Sequence, residues 1–109
     1  MKEADVKIVE EFKSRLPEEV VNHLERLIVF GSRAKGEAPE DSDLDLVALV
    51  DEKTREIEEL LDDAAYSVMW DHDFKPIISL KVFSKYDFDS AVQRGLSFYR
   101  NVDRHGVSL

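Results

Sequence analysis

The chain has 109 residues with 24 acidic and 15 basic side chains, a formal net charge of −9, and 43% hydrophobic residues. That size suits one domain with a modest core, and that hydrophobic content rules against a disordered chain. The acid excess argues against a long nucleic acid as the main partner, since phosphate contacts depend on Lys and Arg, and the absence of cysteine excludes disulfides and cysteine-ligated zinc.

The first residues, Met1-Lys2-Glu3-Ala4-Asp5, lack the apolar core of a signal peptide, and no apolar run approaches transmembrane length. A soluble, cytoplasmic protein with no membrane partner is expected. Val6, Ile8, Val9, Phe12 and Leu16 form an apolar stripe that predicts a helix over residues 3–15. Pro17 interrupts it, and helix is expected to resume over residues 18–25 with Val20, Val21 and Leu24 facing inward. His23 on this segment reads as an ordinary helix histidine. Residues 26–30 form a short apolar strand, residues 32–35 a brief helix, and residues 36–41, with Pro39, a polar loop.

Residues 44–50 read as a second strand, apolar on both faces after Asp45. Residues 53–69 carry Ile57, Leu60, Leu61, Ala64, Ala65 and Val68 at helical spacing. After the connection Trp70-Asp71-His72-Asp73, residues 74–83 read as a third strand with Pro76 near its start. A helix over residues 86–93 is started by Ser84, Gly95 breaks it, and a last helix over residues 97–105 ends at Gly106. Phe88, Phe98 and Tyr99 are read as core, or as the interface of a homo-oligomer.

The chemistry concentrates in Ile28-Val29-Phe30-Gly31-Ser32-Arg33-Ala34-Lys35-Gly36, closed by Ser42-Asp43-Leu44-Asp45-Leu46. Gly31 allows a sharp turn and leaves no side chain to block a phosphate. Ser32 either caps the helix expected after it or turns its hydroxyl and amide toward a phosphate oxygen. Arg33 and Lys35 are candidates to neutralise phosphates, or are solvated loop charges. Asp43 and Asp45, two apart on a strand, share one face and repel each other unless a cation sits between them. Mg2+ is the expected occupant, because it takes carboxylate oxygens together with substrate phosphates.

Gly-Ser, a ten-residue gap and Asp-x-Asp together resemble the signature of the polymerase-β-like nucleotidyltransferases, most closely the minimal nucleotidyltransferase (MNT) family. The C-terminal segment Phe98-Tyr99-Arg100-Asn101-Val102, followed by Gly106-Val107, resembles the usual MNT ending. The resemblance implies an α/β (α+β) nucleotidyltransferase fold, with a small mixed sheet of about three strands packed by helices, in one domain over residues 1–109. It implies transfer of AMP from ATP, or from another nucleoside triphosphate, to a hydroxyl. Gly31 and Ser32 would cradle the phosphates, and Asp43 and Asp45 would be the catalytic metal ligands. It further implies a HEPN-domain toxin as partner, with a tyrosine of that toxin as acceptor and this chain as antitoxin.

In nucleotidyltransferases of this type a third carboxylate comes from the next strand. Here that position falls near Ile77, which is not acidic. Asp73 is the candidate substitute, although four residues of strand place it on the order of 13 Å away unless a bulge or register shift intervenes. His72 is a second candidate base. Lys81 shares the face of Ile77 as a phosphate contact or an exposed sheet lysine. The missing carboxylate keeps two further readings open: a weak or non-catalytic antitoxin that neutralises its HEPN partner by contact, and the nucleotide-binding half of a two-subunit small-molecule nucleotidyltransferase.

Overall fold

The apolar stripe of the first residues forms α1 (Glu3–Ser14), which buries Ile8, Val9 and Phe12 and carries Glu3 and Asp5 in its first turn, where the helix dipole favours acids. The computed structural model describes residues 1–39 and 41–109; Glu40, inside the expected loop 36–41, lies outside the described residues. After Pro17 helix resumes for a single turn, α2 (Glu18–Val21), rather than to Glu25. The His23 carbonyl accepts the Asp51 amide at 3.0 Å, so strand pairing begins there. β1 (Leu24–Phe30) therefore starts two residues before the expected Arg26. Pairing overrides the helical spacing of Val20, Val21 and Leu24, and Val21 is left half exposed.

β2 (Leu44–Val50) has the expected bounds and runs antiparallel to β1, with Phe30 opposite Asp45. Apart from Asp45, all of its residues are buried. The Thr54 hydroxyl accepts the Ile57 amide at 3.2 Å and caps α3 (Arg55–Asp71), which buries Ile57, Leu61, Ala64, Ala65 and Val68. The chain then crosses to β3 (Ile78–Ser84), parallel to β2 from Leu44 opposite Ile78 to Val50 opposite Ser84.

β3 begins four residues later than the expected Phe74, because α3 runs on to Asp71 and closes in a Schellman motif. The Phe74 amide donates to the Met69 carbonyl at 2.8 Å and the Asp73 amide to the Trp70 carbonyl at 3.3 Å. Asp73 and Phe74 take left-handed backbone, φ +56° and +59°. The Phe74 ring meets Trp70 and Tyr66 edge-on, which ties the turn to the helix it ends.

The Ser84 hydroxyl accepts the Asp87 amide at 3.1 Å and starts α4 (Lys85–Gln93); α5 (Ser97–His105) follows. A two-residue strand, β4 (Val107–Ser108), adds to β1 opposite Val29 and Ile28. The sheet thus has four strands in the order β3-β2-β1-β4. Gly106 ends α5 without a left-handed backbone. A Cβ there would strike the Ile28 side chain and the Val102 carbonyl, so close approach demands the glycine.

One face of the sheet, with Leu27, Val29, Leu44, Leu46, Ala48, Val50, Ile78 and Val82, packs against α1, α2 and α3. The other face packs Ile28, Val47 and Leu49 against Phe88 and Val102 of α4 and α5. Phe88 is fully buried and Phe98 and Tyr99 are half-buried in this second core. Among the described residues no helix is long and apolar enough to cross a membrane.

Candidate functional site

β2 alternates its side chains between the two faces, so Asp45 shares a face with Val47 and Leu49. That face is covered by α4 and α5 farther along the strand and opens at its Asp45 end, where Asp45 is half-buried and Asp43 exposed. The neighbours of Asp45 are Phe30 on β1 and Ser79 on β3. Gly31 follows Phe30 with φ +77°, and a Cβ built on it would lie 2.8 Å from Asp45 Oδ2. The turn after β1 therefore passes directly against the carboxylate, which only a glycine permits.

Neither the Asp43 nor the Asp45 carboxylate has a hydrogen bond or ion pair among the described residues. Burial pushes the Asp45 carboxyl up from the usual range, Asp43 pushes it further, and Lys81 pulls it back. Two carboxylates without partners, one of them half-buried in an apolar strand, form an oxygen donor set short of positive charge. That chemistry fits magnesium.

The residues expected to form a brief helix at 32–35 form hydrogen-bonded turns instead, with Gly36 donating to the Arg33 carbonyl and Glu37 to the Ser32 carbonyl. Ser32 is exposed and caps nothing. Lys35 is exposed and lines a cleft of about 370 Å3 with Phe30, Gly31, Phe98, Asn101 and His105. Asn101 and His105, four apart on α5, carried no site signal of their own, because only the fold brings α5 beside Gly31.

Arg33 fits neither expected role. It is 8% exposed, its Nη1 lies 2.7 Å from Asp5 Oδ1, and Nε and Nη2 donate to the Ser42 carbonyl at 3.0 and 2.7 Å. Its guanidinium anchors the loop before β2 to the start of α1. A larger cleft of about 730 Å3 opens over this bridge, on the α1 and α3 side of the molecule, with Lys2, Lys7, His72 and Lys75 among its lining. Asp41 also lines it, but neither Asp43 nor Asp45 does.

Asp73 is exposed in the turn that closes α3, and among the described residues no three His, Cys, Asp or Glu side chains gather as a metal site. Asp73 therefore does not complete a triad with Asp43 and Asp45. The His72 ring lies 2.8 Å from Glu11 Oε2, tying α3 to α1, and the His23 ring lies 2.8 Å from Asp51 Oδ1. The β3 residues facing the pair are Ser79, directly opposite Asp45, and Lys81 beyond it. Ser79 was missed because the register became visible only with the true start of β3.

A family model described as "Nucleotidyltransferase domain" matches residues 6–99. The chain belongs to this nucleotidyltransferase domain family. A Methanocaldococcus jannaschii protein named "Putative protein adenylyltransferase" is 32% identical over 107 residues, covering 95% of this chain and 97% of that one. A Sulfolobus solfataricus crystal structure described as "a putative nucleotidyltransferase" matches the fold with a TM-score of 0.50 at 17% identity, over 99% of this chain and 87% of that one.

Two substitutions in this nucleotidyltransferase separate structural from chemical roles. Gly31→Ala forces an L side chain into left-handed backbone, at about 1–2 kcal/mol, and displaces the Asp45 carboxylate. Thermal unfolding should fall by roughly 4–10 °C, and transfer activity should fall ~10²-fold through misplacement of that carboxylate. In an Asp45→Ala background the steric part vanishes, because Asp45 Cβ lies 3.9 Å away. Asp73→Gly should do the opposite. It relieves the left-handed backbone at Asp73, raises the melting temperature by roughly 2–5 °C, and leaves metal-nucleotide affinity unchanged. Loss of that affinity would mean that Asp73 belongs to the site.

Proposed function

We propose that this nucleotidyltransferase moves AMP from ATP onto a hydroxyl group of another protein and releases pyrophosphate. The observation that carries the reading is Asp45: half-buried, with no side-chain hydrogen bond or ion pair among the described residues, near enough to Asp43 to feel its charge, and backed by Gly31. The M. jannaschii relative, by its printed name, supports a protein as acceptor. Asp43 and Asp45 would hold Mg2+, which supplies neutralisation of the nucleotide's phosphate charge when bound. Gly31 leaves room for a phosphate, and the Ser32 hydroxyl and the Lys35 ammonium stand exposed beside it. The acceptor oxygen forms a bond to the α-phosphorus as the bond to the bridging oxygen breaks. Pyrophosphate leaves with that electron pair, and the hydroxyl proton passes to water. Among the described residues no third carboxylate joins the pair to take the proton, a contribution typically worth 10²–10⁴-fold.

The acceptor to test first is a tyrosine of a HEPN-domain toxin, which the MNT resemblance implies and which would make this chain its antitoxin. Incubation with magnesium and ATP labelled in the α-phosphate should label that tyrosine, whereas label in the γ-phosphate should stay in solution. No transfer from the α-labelled nucleotide would refute the reading.

That no third carboxylate joins the pair among the described residues favours a second reading, neutralisation of the partner by contact alone. Asp43→Ala separates the two. An enzyme loses neutralisation while keeping partner binding, and a contact antitoxin keeps both.

A further inference from the structure

We propose that the carboxylate pair is built for one divalent cation, and that Lys81 stands where a second cation would otherwise meet the nucleotide's phosphates. This inference rests on the nucleotide-transfer reading above. Its first ground is register. β2 and β3 are parallel, with Asp45 opposite Ser79 and Val47 opposite Lys81, so Asp45, Ser79 and Lys81 present side chains on one face. Lys81 begins about 8 Å from Asp45, one strand across and two residues along, and its flexible four-carbon stem can bring the ammonium back over the site.

The second ground is what that face lacks. The β3 residues on it are Ser79, Lys81 and Phe83, none of them acidic. A two-metal site needs a clamp of anionic ligands around two ions a few ångströms apart, and two carboxylates alone cannot balance two dications. The third ground is that Lys81 is available. It is exposed and has no ion pair or hydrogen bond among the described residues, while its charge reaches Asp45.

Charge balance then closes. A third carboxylate together with a second dication adds one net positive charge to a loaded site, and an ammonium adds the same. Lys81 can therefore give the triphosphate the net charge that a two-metal site would give, without a third carboxylate from β3. It differs in one respect: an ammonium cannot activate an attacking oxygen by coordination, so its contribution is to hold and neutralise phosphate.

The test is a manganese titration of the full chain with a non-hydrolysable ATP analogue, read by the loss of the free-ion paramagnetic resonance signal. The wild type should bind one manganese per protein–nucleotide complex. Lys81→Met should keep that stoichiometry and weaken analogue affinity about tenfold to a hundredfold, the worth of a hydrogen bond to a charged group. Lys81→Arg should restore most of the affinity. Lys81→Glu, which supplies a third carboxylate, should raise the stoichiometry to two. Two ions in the wild type, or unchanged affinity in Lys81→Met, would overturn the proposal while leaving the nucleotide site standing. No metal-dependent analogue binding by the wild type would overturn both. Lys81 is exposed, so circular dichroism of each variant should match the wild type.

Discussion

Replacing Asp45 with asparagine is expected to abolish nucleotidyl transfer and, in metal-free protein, to raise the melting temperature. The two effects share one cause. Asp45 is half-buried beside Asp43 with no side-chain hydrogen bond or ion pair among the described residues, and the Lys81 charge only partly offsets its burial, so its charge is served chiefly by a bound cation. Loss of a metal ligand should remove about 3–4 kcal/mol of transition-state stabilisation, ~10²–10³-fold in rate. Without metal, two like charges about 7 Å apart, one just before β2 and one on it, cost ~0.5–1 kcal/mol in a largely solvated setting. Relieving that repulsion should raise the melting temperature by roughly 2–5 °C.

The sign with pH follows from the raised Asp45 carboxyl. Its ordinary value is 3.8, and burial and Asp43 lift the folded value above that. Above the folded value the group is ionised in both states, and the full penalty opposes folding. Below the ordinary value it is protonated in both states, and the penalty is gone. The stability advantage of Asp45→Asn should therefore be largest near neutral pH and close on acidification. Added magnesium should raise the wild-type melting temperature and leave the variant unmoved.

The second large effect is at Arg33. Arg33→Ala should destabilise the fold by about 3–5 kcal/mol, the usual cost of breaking a buried ion pair. It strands Asp5, 5% exposed, and removes two donors from the Ser42 carbonyl. Against a typical total of 5–15 kcal/mol for a domain, the melting temperature should fall by roughly 15 °C or more. Arg33→Lys should recover little, since one ammonium cannot reproduce the fork that spans Asp5 and Ser42. A double variant, Asp5→Leu with Arg33→Met, should recover part of the loss by removing the stranded charge. Magnesium affinity should fall with Arg33→Ala as well, because Ser42 adjoins Asp43. Urea unfolding with and without magnesium measures both. A stability unchanged within about 0.5 kcal/mol would mean that the bridge contributes nothing.

Where hydrophobic spacing and a cap agreed, the structure could be read from the sequence. β2 has its expected bounds, α3 follows its three-and-four apolar repeat although it begins two residues later, behind a Thr54 cap the spacing did not show, and α4 is capped by Ser84 as expected. The spacing failed where backbone pairing or turn chemistry decided. Leu24 looked helical but pairs opposite Val50, and Phe74 looked like a strand residue but closes a Schellman turn in left-handed backbone. β4, at two residues, is too short to show a period.

The same division holds for the candidate site. Gly31, Asp43 and Asp45 stood out as candidates by type and spacing, and the fold brings Gly31 against Asp45. Arg33 could not be sorted, because its partner Asp5 lies 28 residues away. Lys81 could be placed on the facing side by alternation alone, but that Ser79 lies directly opposite Asp45 depends on a register the sequence does not show.

The central claim is that Asp43 and Asp45 hold a metal-bound nucleotide. A calorimetric titration of magnesium-ATP into the wild type and into Asp43→Asn/Asp45→Asn tests it most directly. The account predicts magnesium-dependent binding by the wild type and none by the folded double variant. Equal binding by both proteins, or none by the wild type, would contradict it.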